Sequence, residues 1–172
     1  MQHVISPSFF ARECPEAARD LAGKLLCRRF PNGRVIKLRI LETEAYCGEA
    51  DTACHAHRGR TKRTEPLYAA PGTLYVYLCY GMHWMLNIST GREGEAQGVL
   101  IRACDGAAGP GKLTKALEID GSFNGRYLPE ITSELWLEDD ALPCSVMTAE
   151  RVGIGYASPE DQRRPWRYIA VY

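Results

Sequence analysis

The sequence predicts an α+β fold: one domain over residues 1–172, built on a curved, largely antiparallel sheet with short helices around it and a protruding β-hairpin. Three observations carry this. Alternating or β-branched runs recur along the chain and are punctuated by Gly-containing turns. Only the N-terminal region shows an extended helical pattern. At 172 residues, 45% hydrophobic and 24% charged, the chain has the length and composition of one globular domain with a real core.

The elements follow in order. After Pro15, the segment EAARDLAGKLLCRRF (16–30) reads as a helix, with proline tolerated in its first turn and Leu21, Leu25 and Leu26 as its apolar face. Asn32-Gly33 is a turn, and RVIKLRILETEAY (34–46) is a strand. Residues 47–71 form a long irregular segment of the kind that is either functional or disordered. GTLYVYLCYGMHWMLNI (72–88) reads as two strands joined at Tyr80-Gly81-Met82, with Leu74, Val76 and Leu78 on one face and Tyr75, Tyr77 and Cys79 on the other. QGVLIRA (97–103) is a strand, and KLTKALEI (112–119) is a short helix ending near Asp120-Gly121. Asn124-Gly125 marks a turn, SELWLED and the region 147–154 read as short strands, and RRPWRYIAVY (163–172) closes the sheet.

Composition narrows the setting. Seven cysteines, an odd and scattered number with no C-x-x-C pair, suit a reducing compartment rather than a disulfide framework. The start has no basic region followed by an apolar stretch, and no apolar run approaches the ~18 residues of a membrane span. The expectation is a protein that is not secreted and not in a membrane. The formal net charge of zero counts against a globally basic footprint. A local one exists in HAHRGRTKR (55–63), where Arg58, Arg60, Lys62 and Arg63 occur without an acid; a solvated loop is the other reading.

Several residues could carry chemistry. Tyr80 and Met82 stand at a hairpin tip, where apolar groups either fold back onto the protein or enter something, such as a base stack. Glu42 and Glu44 are two apart on a strand and share a face. They are either an Arg-paired edge or the setting for a general base, with Tyr46 beside them. Asn87 within M-L-N-I is a satisfied structural amide or the reader of a polar ligand. Cys47, Cys54, His55 and His57 are zinc-ligand types, but their spacing fits no common structural site. Gly153-Ile154-Gly155 lacks the rest of a dinucleotide fingerprint. Gly109-Pro110-Gly111-Lys112 opens a helix where free N–H groups and Lys112 would suit a phosphate, without a full P-loop.

Taken together, ETEAY, D-x-x-C-H at 51–55, PGTLYVYLCYGM, Asn87-Ile88, LIRA, GPGKL and RVGIGYA resemble the alkyladenine (3-methyladenine) DNA glycosylases, the monofunctional type distinct from the helix-hairpin-helix enzymes. The match runs from the first helix to the RPWRYI tail. The resemblance implies hydrolysis of the N-glycosidic bond of an alkylated or deaminated purine flipped from double-stranded DNA, leaving an abasic site in base excision repair. It implies Glu44 as the activator of water, and Arg102 near that acid and the sugar-phosphate. It further implies Tyr46, His55, Tyr77 and Asn87 as the base pocket, with Asn87 discouraging the guanine 2-amino group, and Tyr80 as the intercalating wedge, with Met82 beside it in the minor groove. Arg60, Arg63 and Lys112 are candidate contacts to the DNA backbone. No metal or other cofactor is implied. The expected protein is a monomer, cytoplasmic or nucleoid-associated (nuclear in a eukaryote). The acidic loop GREGEAQ (91–97) is expected away from the duplex, and Met85 stands where the family commonly has cysteine. A non-catalytic nucleic-acid-binding domain of the same fold is the alternative, against which the intact Glu44 argues. A small metalloprotein using the Cys/His cluster is a third reading.

Overall fold

The apolar, β-branched runs find partners across the chain and assemble into an open, curved sheet of nine strands, as seen in a computed structural model that describes residues 3–172. The strands are β1 (His3–Val4), β2 (Leu25–Arg29), β3 (Val35–Tyr46), β4 (Leu74–Cys79), β5 (His83–Ser89), β6 (Gly98–Cys104), β7 (Leu135–Asp139), β8 (Ser145–Ala149) and β9 (Arg167–Val171). Their order is β1-β7-β2-β3-β6-β5-β4, with β9 also paired to β3 and β8 to β9; every pairing is antiparallel. The helices are short: α1 (Cys14–Leu21), α2 (Glu65–Tyr68), α3 (Pro110–Ala116) and α4 (Pro159–Gln162). The α+β expectation is met.

The curvature is concentrated in the twelve-residue strand β3. Its first half pairs with β2 and its second with β6 and β9. Between Ile40 and Thr43 the register with β6 shifts twice, and bulges of this kind bend a strand and re-aim its side chains. Against this bend packs α1, whose Cys14, Ala17, Ala18 and Leu21 follow helical spacing and are all buried. Leu26, Ile40, Leu74, Leu86, Ile101, Leu113 and Leu135 complete the same core.

Several expectations are corrected. The first helix ends at Leu21 rather than running to residue 30. Gly23, at φ +92°, turns the chain and donates its N–H to the Ile40 carbonyl. Leu25 and Leu26 then enter β2, where ladders to β3 and β7 outweigh the helical pattern. The short helix covers Pro110–Ala116, not 112–119. The strand expected at 147–154 is β8, which ends at Ala149 and frees the following residues as a loop. The segment 47–71 holds two 3-10 turns, Gly48–Ala50 and His55–Arg58, and the single turn of α2.

The expected hairpin joined at 80–82 is present, its register running from Leu74 opposite Ile88 to Cys79 opposite His83. Its turn closes with the Met82 N–H on the Cys79 carbonyl at 3.1 Å. Tyr80 and Gly81 both have positive φ, +51° and +65°, the combination that suits the right-handed twist of paired strands.

Candidate active site

Strands β3 to β6 and the loop after β8 surround a cavity of about 430 Å³. The sheet order places the β4–β5 hairpin on one side of β6 and β3, and the loop after β8 on the other.

Glu44 lies behind the lining of this cavity, with 0% of its surface exposed. Its Oε2 accepts from the Tyr46 hydroxyl at 2.8 Å, and its Oε1 accepts from the Val152 backbone N–H at 2.8 Å. Arg102 Nε stands 3.4 Å from Oε1. Both donors and the Arg102 cation line the cavity. Arg102 reaches Glu44 because of the second register shift: Ala103 opposes Glu42 and Ile101 opposes Thr43, leaving Arg102 as the extra residue of β6. Burial first, and the Glu44 charge second, push the Tyr46 phenol upward, so it stays a neutral donor. Glu42 takes a different partner, Arg167 NH1 at 3.1 Å.

A buried ion pair holds these parts together. Arg151 is bidentate on Asp51, NH1 to Oδ2 at 2.6 Å and NH2 to Oδ1 at 2.9 Å, and its NH1 also reaches the Ala45 carbonyl. Its guanidinium lies 4.9 Å from the Tyr46 ring centroid and 5.0 Å from that of Trp166. Asp51 also accepts the N–H groups of Cys47 and Ala53. The loop after β8 and the segment after β3 are thereby pinned to one point, next to the residue that donates to Glu44.

The hairpin side is aromatic. Tyr75 and Tyr77 have ring centroids 5.1 Å apart, and His55 meets Tyr77 edge-on at 4.7 Å. His55 Nδ1 pairs with the Tyr75 hydroxyl at 2.9 Å. Desolvation of the ring first, and the charge of Arg63 second, lower the His55 imidazolium to about 4. Arg63 lies 5.4 Å from the Tyr77 centroid. Asn87 is buried, opposite Tyr75 and Leu100, and its Nδ2 donates to the Tyr75 carbonyl at 3.1 Å. Met85, opposite Tyr77, also lines the cavity.

At the mouth, Tyr80 is 91% exposed; Met82, 71% exposed, does not line the cavity and faces instead a depression shared with His83, Trp84 and Gly111. Of the expected backbone cations, Arg63 lines the cavity, while Lys112 is exposed two residues after the cavity-lining Pro110. Arg60 is already paired with Glu65, through Nε at 2.8 Å and NH2 at 2.5 Å, and lies over Tyr68. Of the Cys/His group, Cys54 and His55 line the cavity, whereas His57 turns to the Glu49 carbonyl. Val152 and the Asp51–Arg151 pair were not anticipated. A backbone N–H leaves no mark on residue identity, and Asp51 and Arg151 are 100 residues apart.

Comparison with known proteins bears on this site. The family described as methylpurine-DNA glycosylase matches residues 8–107 and 105–171. A protein of Nitrosococcus oceani provisionally named 3-methyladenine DNA glycosylase is 41% identical, over 97% of this chain and 90% of its own. Proteins with the same provisional name from Psychrobacter cryohalolentis, 42% identical, and Methanocella arvoryzae, 41% identical, each match over 96% of this chain and 91% of theirs. The chain belongs to the methylpurine-DNA glycosylase family, hydrolases of N-glycosyl bonds in DNA.

Proposed function

We propose that this protein is a monofunctional glycosylase, a single domain acting as a monomer, that extrudes alkylated or deaminated purines from duplex DNA and hydrolyses the N-glycosidic bond with a water activated by Glu44. The observation that carries the reading is a fully buried carboxylate, held by Tyr46, Val152 and Arg102, directly behind an aromatic cavity.

The residues divide the work. Tyr80 fills the gap left by the extruded nucleotide, with Met82 against the minor groove. Tyr46, Tyr77 and His55 enclose the base, and the buried Asn87 amide meets its edge. An aromatic enclosure favours a cationic or electron-poor purine. A neutral His55 adds no charge to repel one, consistent with its lowered pKa. Arg102, 3.4 Å from Glu44 Oε1 and lining the cavity, borders the place where water meets the carboxylate. Glu44 takes the proton of this water and stabilises the positive charge developing on the sugar. Arg63 and Lys112, with Arg60 once released from Glu65, hold the backbone. Among the described residues, no lysine lines the cavity.

Incubation with a duplex carrying one hypoxanthine or 3-methyladenine tests this. The expected products are free base and an abasic strand that breaks only on alkaline treatment, with no adduct trapped by borohydride. Strand cleavage without alkali, or a trapped adduct, would contradict a purely hydrolytic mechanism.

A further inference from the structure

The loop that supplies the Val152 N–H continues to an aromatic residue that the chemistry above leaves unused. Tyr156 lines the cavity and is 67% exposed. Large exposed apolar side chains gather at this mouth: Leu78 and Tyr80 from the hairpin, Val152 and Tyr156 from the loop. Such a concentration marks a contact surface.

Tyr156 is also fixed in place. Its hydroxyl donates to the carbonyl of the buried Ala53 at 2.7 Å. Ile154 and Ala157 on either side of it are buried together against Ala53 and Tyr46. Arg151, at the start of the loop, is locked to Asp51. With the hydroxyl occupied by Ala53, Tyr156 offers the cavity its ring, oriented before any ligand arrives.

The position of the loop identifies what the ring meets. The hairpin supplies Tyr75, Tyr77 and Asn87, the surfaces assigned to the base. The loop supplies the N–H on Glu44, and so borders the carbon at which the bond breaks. That carbon belongs to the deoxyribose, which has an apolar C–H face and becomes cationic in the transition state. An aromatic face suits both states, through packing first and cation–π attraction later.

We infer that Tyr156 is a substrate-contacting residue whose ring packs against the deoxyribose of the extruded nucleotide. This rests on the glycosylase reading. It separates Tyr156 from the wedge: Tyr80 acts only where a stack must be held open, whereas a contact to the extruded nucleotide itself persists in single-stranded DNA.

The test measures dissociation constants for DNA with one hypoxanthine, single-stranded and duplex, in a Glu44→Gln background where the base is retained. Tyr156→Ala should weaken both by about 10-fold, the scale of one aromatic or cation–π contact. Tyr156→Phe, which keeps the ring and loses the Ala53 bond, should stay within about 3-fold of the parent. Tyr80→Ala in parallel should weaken the duplex alone. Unchanged binding by Tyr156→Ala would overturn the inference, as would a loss confined to duplex or an equal loss in Tyr156→Phe. A lowered melting temperature with normal affinity of the folded protein would make Tyr156 a packing residue and overturn it too. Failure of the glycosylase reading shows separately, as no release of either hypoxanthine or 3-methyladenine by the protein with Glu44 and Tyr156 intact.

Discussion

Tyr80 holds a backbone conformation, φ +51°, that bulky side chains rarely adopt, at a cost on the order of 1–3 kcal/mol. The hairpin turn uses that backbone, but the ring is left 91% exposed and gains nothing from the fold. That exposure suits a residue whose partner is outside the protein. Tyr80→Ala should weaken binding to duplex lesion DNA by about 1–3 kcal/mol, the worth of one aromatic–base stack. The melting temperature should hardly move, and the defect should shrink when the lesion is mismatched and already loosely stacked. A sharp loss of melting temperature with normal excision would make Tyr80 a packing residue. His55 permits a second test at this scale. The unfolded chain binds its proton at about 6.5 and the folded protein only at about 4, so protonation favours unfolding. The contribution is complete above about 6.5 and is lost as pH falls towards 4. Urea unfolding of the parent and His55→Gln across this range should show the parent losing ground on acidification; parallel curves would contradict a neutral His55.

The elements meet at the Asp51–Arg151 pair, where removing one partner strands a buried charge. Asp51→Ala should destabilise the protein by about 3–5 kcal/mol in urea unfolding, the cost of such an orphaned charge. Because Val152 then loses its anchor, the enzyme that remains folded should excise more slowly by a larger factor than it binds more weakly. A stable variant with full activity would show that the pair neither stabilises the fold nor positions Glu44. This arrangement also marks where sequence reading stops. The hairpin was legible because its signals are local: alternation in β4 and a Tyr-Gly turn. Strand β3 was legible from its length and β-branched residues. The end of α1 was not, because Leu25 and Leu26 extend a helical apolar pattern, and the partners that make them a strand lie on β3 and on the distant β7. At the site, Glu44, Tyr46, Asn87 and His55 stood out by residue type and placement, but each with an alternative reading; the family resemblance chose between them and added Arg102 and Tyr77. That Glu44 stands behind the lining, and that a bulge turns Arg102 towards it, follow from the register of β3 against β6.

For the whole molecule, zero net charge and a localised cationic rim imply modest non-specific affinity. The acids Glu93 and Glu95 follow the end of β5 farthest from the tip, in keeping with a loop held away from the duplex. If Arg60, Arg63 and Lys112 carry the phosphate contacts, the logarithm of affinity should fall with that of salt with a slope of about −3. A slope near −8 would require a much wider basic surface. Water activation by a carboxylate also makes excision insensitive to chelators; loss of activity in EDTA, restored by zinc, would return attention to Cys47, Cys54, His55 and His57. The claim that joins the three scales is that the bend of β3, the buried ion pair and the aromatic cavity place one carboxylate, Glu44, to activate water. Its most direct test compares base release with lesion binding in Glu44→Gln, which keeps the size of the side chain and cannot take the proton. The account predicts that single-turnover release of hypoxanthine is abolished while the dissociation constant for the same duplex stays within a few-fold of the parent. Release at a comparable rate in Glu44→Gln would contradict it.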